Sequence, residues 1–288
     1  MRTTTLSAVL AETRKRFADA GLPDAATDAR VLVAGLLDLS PTEMVLNGER
    51  GLSADEVESI HRAAERRIGR EPVHRILGFR EFYGLRLTLS PETLEPRPDT
   101  EVLVDAVLQH ARRLFAERSG RILDLGTGTG AILLALLSEL PSFSGVAADI
   151  SAGALETASL NAQINNVGER FSAVETDWFA RIEGRFDIIV SNPPYIKTDI
   201  IAELEPDVRI FDPDLALDGG TDGLDAYREI ANGAAAFLSD DGVIGLEIGY
   251  DQKQAVTDLF LTQGYTLIES VTDYGGNDRA LIFARHKA

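Results

Sequence analysis

The sequence predicts an α/β protein: an open, mostly parallel seven-stranded sheet covered by helices, with a small helical bundle in front of it. Three observations predict this. From residue 120 onward, short β-branched runs alternate with helical patterns, as in successive βαβ units. Before residue 75, apolar residues recur at helical spacing with caps and short connections, and no strand pattern intervenes. Between the two lies a pair of short alternating segments that reads as a hairpin. The predicted organisation is a helical substrate-recognition domain over residues 1–75, a β-hairpin linker over 76–97 and the α/β domain over 98–288.

In the first third, Leu6, Val9, Leu10, Thr13 and Phe17 lie on one helical face within residues 3–20, and Gly21 and Pro23 end that helix. A second helix spans 24–39, with Ala29, Leu32, Val33, Leu36 and Leu37 on one side. Ser40-Pro41-Thr42-Glu43 and Ser53-Ala54-Asp55-Glu56 are capping boxes, each opening a helix. The helix opened by Ser53 runs to about Gly69, and Arg62, Arg66, Arg67 and Arg70 make its end basic within an acidic chain. It reads either as a solvated face or as a docking face for a partner.

The hairpin covers 78–85 and 85–89 and turns at Tyr83-Gly84. Prolines 96 and 98 then fix an extended approach to a helix over 99–118. Arg97, held between them, is either a surface charge or a contact to a cofactor or substrate carboxylate.

In the α/β part, strand 121–125 leads into Gly126-Thr127-Gly128-Thr129-Gly130 and a helix over 131–140. Glycines allow the backbone to approach a ligand closely at a helix N-terminus. Strand 145–150 ends in Asp149, where an acid about 20 residues past such a loop bonds ribose hydroxyls. Together these imply a nucleoside-containing cofactor without saying which, because Gly126, Gly128 and Ala131 also fit the dinucleotide pattern. Ser151 caps a helix to about Asn165, and strand 171–176 leads into Asp177-Trp178-Phe179. Asp177 and Trp178 suit the edge and face of an adenine, although Trp178 reads nearly as well as core. Residues 196–222 form a long segment rich in Asp, Pro and Gly, of the kind that builds lids and binding loops. Helix 224–238, strand 242–248, helix 251–263 and an antiparallel pair, 265–273 with 279–286, complete the domain.

Asn192-Pro193-Pro194-Tyr195 follows the apolar strand 186–191. Two prolines cannot donate ladder hydrogen bonds, so the strand stops there, at the edge where α/β sheets bind ligands. The Asn192 side-chain oxygen and the Pro193 carbonyl can each accept one hydrogen of a planar NH2 group. The Tyr195 ring can stack on the attached π-system. The plain alternative is a strand-terminating turn.

Composition narrows the class. The chain is 44% hydrophobic, has no apolar run near the ~18 residues of a membrane span, and lacks a signal-like start over residues 1–10. It has no cysteine, and its four histidines (His61, His74, His110, His286) show no metal-ligand spacing. A cytoplasmic enzyme without a metal is expected. A net charge of −18 argues against general phosphate-backbone binding.

These motifs resemble the class I S-adenosylmethionine-dependent methyltransferases. More narrowly, they are similar to the protein-(glutamine-N5) methyltransferases that modify peptide chain release factors. Further matching pieces are residues 78–85, 95–101, Leu215-Ala216-Leu217-Asp218-Gly219-Gly220 and 273–279. Glu95 departs from the family, which generally has an aliphatic residue before Pro-Arg-Pro. The resemblance implies a Rossmann-like fold, S-adenosyl-L-methionine as cofactor (S-adenosyl-L-homocysteine as product), and the glutamine of a Gly-Gly-Gln loop in class 1 release factors as substrate. It implies cofactor contacts from Gly126, Thr127, Gly128, Thr129, Gly130, Asp149, Trp178 and Asn192. It implies that Asn192, Pro193, Pro194 and Tyr195 hold the glutamine. Competing readings are a ribosomal-protein glutamine methyltransferase, an N6-adenine or N4-cytosine nucleic-acid methyltransferase, a nucleotide-dependent dehydrogenase and a silent binding module. Membrane association and direct DNA binding are not expected.

Overall fold

The computed structural model describes residues 4–116 and 118–286. Thr3 and Glu117, predicted to lie in helices, fall outside the described residues. The chain divides into two compact units, residues 1–79 and 80–288.

The first unit holds α1 (Leu6–Asp19), α2 (Ala25–Leu37), α3 (Pro41–Leu46), α4 (Ala54–Ile68) and α5 (Val73–Leu77). Both capping boxes close: the Ser40 N–H donates to Glu43 Oε2 at 2.8 Å and the Ser53 N–H to Glu56 Oε2 at 2.7 Å. Each serine hydroxyl accepts the glutamate N–H in return. Leu6, Val9, Thr13 and Phe17 are the buried face of α1, on the predicted spacing. Helix α5 was not predicted, because five residues are too few to show a period. The basic end of α4 is not one solvated face. Arg67 is buried and donates Nε to Asp28 of α2 at 2.7 Å, and Arg66 pairs with Glu71.

The hairpin strands are β1 (Phe79–Phe82) and β2 (Leu85–Thr88). Tyr83 and Gly84 both have positive φ, +51° and +74°, which matches the twist of a two-residue turn. The tyrosine is held there by α6 (Glu101–Leu114): its N–H donates to Glu101 at 2.8 Å and its hydroxyl to Asp105 at 2.7 Å. Phe82 and Leu87 are buried in the same core cluster as α6. Glu95 forms an ion pair with Arg80.

The remaining elements are β3 (Gly120–Leu125), α7 (Ala131–Glu139), β4 (Phe143–Asp149), α8 (Ala152–Ile164), β5 (Phe171–Glu175) and β6 (Phe186–Ser191). Then follow α9 (Pro206–Arg209), α10 (Asp225–Phe237), β7 (Leu238–Glu247), α11 (Lys253–Thr262), β8 (Tyr265–Thr272) and β9 (Asp278–Arg285). The seven-stranded sheet has the order β5-β4-β3-β6-β7-β9-β8. The first five strands are parallel, and β9 runs antiparallel to both β7 and β8. Strand β7 starts at Leu238, earlier than the predicted 242, because Leu238 pairs with Phe186 across a register shift.

Side chains alternate between two cores, one on each sheet face. Ile122, Ile188 and Val190 enter the cluster with α6 and α7, whereas Leu123, Leu125 and Ile189 enter the one with α10 and α11. The chain runs outward from β3 to β5 and then returns to β6 on the other side of β3. Ligand crevices in open α/β sheets form at such a reversal.

Candidate active site

Strands β3 and β6 are register partners, with Leu125 opposite Ser191. Gly126 and Asn192 therefore leave the sheet side by side. A cavity of about 560 Å³ opens at this edge.

Gly126, Gly128 and Gly130 have φ of +67°, +55° and +83°, which non-glycine residues rarely adopt. A Cβ on Gly126 or Gly128 would meet nothing within 4 Å. Conformation, and not crowding, therefore demands glycine here, and Gly126 to Thr129 line the cavity. The loop is anchored by Gly126 and Thr127 N–H groups donating to the Ala148 carbonyl at 2.8 and 3.1 Å. Gly130 does not line the cavity; its Cα faces Ala158 and Leu134, where helix packing leaves little room.

Asp149 accepts the Gly128 N–H on Oδ2 and the Ser151 N–H on Oδ1, both at 2.9 Å. A carboxylate has about four acceptor sites, so two remain for a ligand diol in the cavity it lines. Trp178 holds a positive φ of +45°, lines the cavity and also packs on the second core cluster.

Asp124, not predicted as a site residue, sits beneath the glycine loop. It is 1% exposed, accepts the Thr127 hydroxyl at 2.6 Å on Oδ2, and leaves Oδ1 without a partner. Burial, with the nearby Asp149 charge adding to it, pushes its carboxyl up to about 7. Its sequence signal was an acid inside an otherwise apolar strand.

Asn192 and Pro194 line the cavity, and so does Arg97 at its exposed rim. Pro193 is buried and Tyr195 half-buried, and neither lines it. The predicted stacking surface of Tyr195 is thus not brought to the cavity. Instead its hydroxyl donates to Glu247 Oε1 at 3.5 Å, and burial pushes its pKa up to about 12. Among the described residues, nothing hydrogen-bonds the Pro193 carbonyl. Asn192 Nδ2 donates to Thr100 Oγ1 at 3.4 Å, and the Thr100 hydroxyl donates to Glu247 Oε2 at 2.6 Å.

Residues 196–222 are mostly exposed or half-buried, with Leu217 and Gly219 buried. Ile196 and Gly219 are stapled by backbone bonds, Ile196 N to Leu217 O at 3.0 Å and Gly219 N to Ile196 O at 2.8 Å. A Cβ on Gly219 would lie 2.8 Å from the Pro194 carbonyl oxygen, so this glycine permits the close approach. The segment places Pro213, Leu215, Ala216 and Asp218 at the cavity. Seven acidic residues line the cavity (Glu92, Glu95, Asp149, Asp177, Asp218, Asp225, Glu229) against Arg97 and Arg228, which favours a cationic occupant over a polyanion.

Among the described residues, no cluster of His, Asp and Glu could hold a metal ion, and no helix is long and apolar enough to cross a membrane. The family described as the PrmC N-terminal domain matches residues 8–78, and the methyltransferase small domain matches 99–209. The solved hMettl16 catalytic domain in complex with MAT2A 3'UTR hairpin 6 shares the fold at 15% identity and a TM-score of 0.57, covering 82% of this chain and 83% of that one. A release factor glutamine methyltransferase of Caulobacter vibrioides is 41% identical over 97% of this chain and 96% of its own length. One from Agrobacterium fabrum is 54% identical over 98% of both chains. With such likeness along its whole length, and with the glycine loop and Asn192 opening on one cavity, the chain belongs to the release factor glutamine methyltransferase family.

Proposed function

We propose that this protein methylates the side-chain amide nitrogen of the glutamine in the Gly-Gly-Gln motif of class 1 peptide chain release factors, using S-adenosylmethionine, in the cytoplasm. The observation that carries this is the adjacency of Leu125 and Ser191, which delivers the glycine loop and Asn192 to one cavity.

The residues present fit the cofactor. Residues 126–129 form an open cradle, Asp149 keeps two acceptor sites for a ribose diol, and Asp177 and Trp178 border the space for an adenine. The acidic lining suits a ligand with positive charge. When bound, S-adenosylmethionine supplies an electrophilic methyl group on a sulfonium sulfur.

The chain's own part is to hold the nucleophile. A carboxamide nitrogen is weakly nucleophilic because its lone pair is delocalised into the carbonyl. Asn192 Oδ1 and the Pro193 carbonyl accept its two hydrogens, which favours pyramidal nitrogen and turns the lone pair toward the methyl. The nitrogen becomes acidic as it is methylated, so its proton leaves without a strong base, and residues 192–195 supply none. Pro194 limits the loop's freedom and Tyr195 anchors it from outside the cavity through Glu247. Arg97, at the rim, meets a substrate or cofactor carboxylate. The N-terminal helices serve recognition of the protein substrate.

A nucleic-acid methyltransferase would hold an exocyclic amine with the same four residues, but an acidic cavity wall and a charge of −18 oppose a phosphate backbone. The test is incubation with labelled S-adenosylmethionine and, separately, a class 1 release factor, a ribosomal protein and DNA. Label on the release-factor glutamine is expected. Label confined to either of the other two would overturn the proposal.

A further inference from the structure

We propose that Glu247 is a positioning residue that fixes which way round the Asn192 side-chain amide sits, acting through the Thr100 hydroxyl. The inference rests on the reading of Asn192 given above and deepens it. An amide's oxygen and nitrogen are nearly the same size, so packing alone leaves Asn192 free to sit either way round. Only one way presents an acceptor to a substrate NH2 group.

Glu247 ends β7, next to β6, and is 1% exposed. Ionised, it accepts hydrogen bonds and cannot donate them. The single Thr100 hydroxyl proton therefore goes to Glu247 Oε2, at 2.6 Å. Thr100 Oγ1 is left with lone pairs only. The Asn192 side chain, 3.4 Å away, must then present its Nδ2 hydrogens to Thr100. Its Oδ1 is turned the other way, to the substrate. The polarity of one carboxylate is thus passed through one hydroxyl to the atom that meets the nucleophile.

The same corner holds Tyr195 at both ends. Glu247 Oε1 accepts the Tyr195 hydroxyl at 3.5 Å, and Gln252 Nε2, at the start of α11, donates to the Tyr195 carbonyl at 3.0 Å. Gln252 is itself fixed by the Gly249 N–H at 3.0 Å and the Gly223 carbonyl at 3.1 Å.

The arrangement makes turnover depend on pH. Arg97 and Asp99 face Glu247 from the segment before α6, Arg279 from β9, and Tyr195 from the loop after β6. The Tyr227 hydroxyl of α10 donates to its backbone carbonyl at 2.9 Å. Burial is the largest influence and raises the carboxyl above the ordinary glutamate range, while the Thr100 bond and the two arginines oppose that rise. Once protonated, Glu247 can donate to Thr100, which frees the Thr100 proton for Asn192 Oδ1. The amide then turns over, and donors face donors at the substrate. The rate therefore falls as pH drops through the Glu247 range.

The experiment measures kcat, KM and cofactor affinity across pH for Glu247→Gln, Thr100→Val, Thr100→Ser and Asn192→Ala in the full chain. A glutamine at 247 can donate to Thr100 at every pH. Its kcat is expected to fall about ten- to a hundredfold at neutral pH and to lose the acid limb, with cofactor affinity unchanged. Thr100→Val should fall comparably, and Thr100→Ser, which restores the hydroxyl, should recover most of the rate. If Thr100→Val turns over at the wild-type rate, if serine rescues no better than valine, or if a folded Glu247→Gln keeps its acid limb, the relay is wrong. Should Glu247→Gln fail to fold, the Thr100 pair decides alone. An Asn192→Ala enzyme with full activity would instead overturn the reading of the motif itself. Loss in Asn192→Ala with none in Thr100→Val overturns only the relay.

Discussion

The two strand ends that meet at the cavity are built in opposite ways. After β3 the chain gives up side chains: three glycines take positive φ, and the loop is held by its own backbone and by Asp149. After β6 it gives up N–H groups: Pro193 and Pro194 donate nothing, and the loop is held by side chains from distant parts of the sequence, Thr100, Glu247 and Gln252. The difference matches what each end is proposed to bind. A glycine loop before α7 offers backbone N–H groups at a helix start, which suit acceptors and acidic partners. A proline loop offers carbonyl oxygen and one amide oxygen, which suit an NH2 group that must be held by both hydrogens. One end is held through the neighbouring strand β4 and the other by side chains from farther along the chain.

The largest expected effect tests the proline end. Asn192→Ala removes one preorganised acceptor at the reacting nitrogen, and such a loss costs about 10²–10³ in rate. Cofactor affinity should change much less, since the glycine end is untouched. Single-turnover methylation and calorimetry on the same preparation separate the two. A folded variant with a near wild-type rate would erase the contrast between the ends.

The contrast also accounts for what was legible from sequence. The glycine loop, Asp149, the capping boxes and the alternation of strands and helices are local patterns, and each appears where predicted. Asn192 was legible because two successive prolines must end an apolar strand, which puts the asparagine at the sheet edge where ligands bind. Its supporters were not. Thr100 is one threonine after an extended stretch, and Glu247 comes 147 residues later at the end of an apolar strand. The β6–β7 pairing sets Glu247 beside Asn192, and the segment before α6 brings Thr100 to both. An acid at the end of Gly242-Val243-Ile244-Gly245-Leu246 was the available signal, since a buried carboxylate needs partners. Arg67 was misjudged for the same reason: spacing put it with exposed arginines, and its partner Asp28 lies 39 residues away.

The next effect sharpens the glycine end. Asp149→Ala removes the acceptor for the Gly128 N–H and the sites proposed for the ribose diol. A loss of about 1–3 kcal/mol in cofactor binding is expected, with kcat at saturating cofactor largely kept. Unchanged affinity by calorimetry would take Asp149 out of the site. Gly128→Ala should cost less, about 1–2 kcal/mol of folding stability, from the positive φ alone. The new methyl group meets nothing within 4 Å, so the cost is conformational and shows in denaturant unfolding. No loss of stability would mean that φ is not what demands glycine there.

The smallest effect concerns Asp124, which lies under the glycine end. Its carboxyl is pushed up to about 7 by burial, so at neutral pH it is shared between neutral and ionised forms. A cationic ligand in the cavity lined by Thr127, the hydrogen-bond partner of Asp124, favours the ionised form. Binding is therefore tighter where Asp124 is already ionised, and cofactor affinity should rise as pH increases through about 7. Between pH 6 and 8 the ionised fraction goes from about one tenth to about nine tenths, so the gain is at most about tenfold. Asp124→Asn, neutral at every pH, should abolish this rise. Any titration of the ligand itself contributes equally to both proteins and cancels in their difference. Parallel affinity–pH profiles for the wild type and Asp124→Asn would mean that the buried carboxyl does not sense the cofactor. Asp124 would then serve only to hold Thr127 beneath the loop.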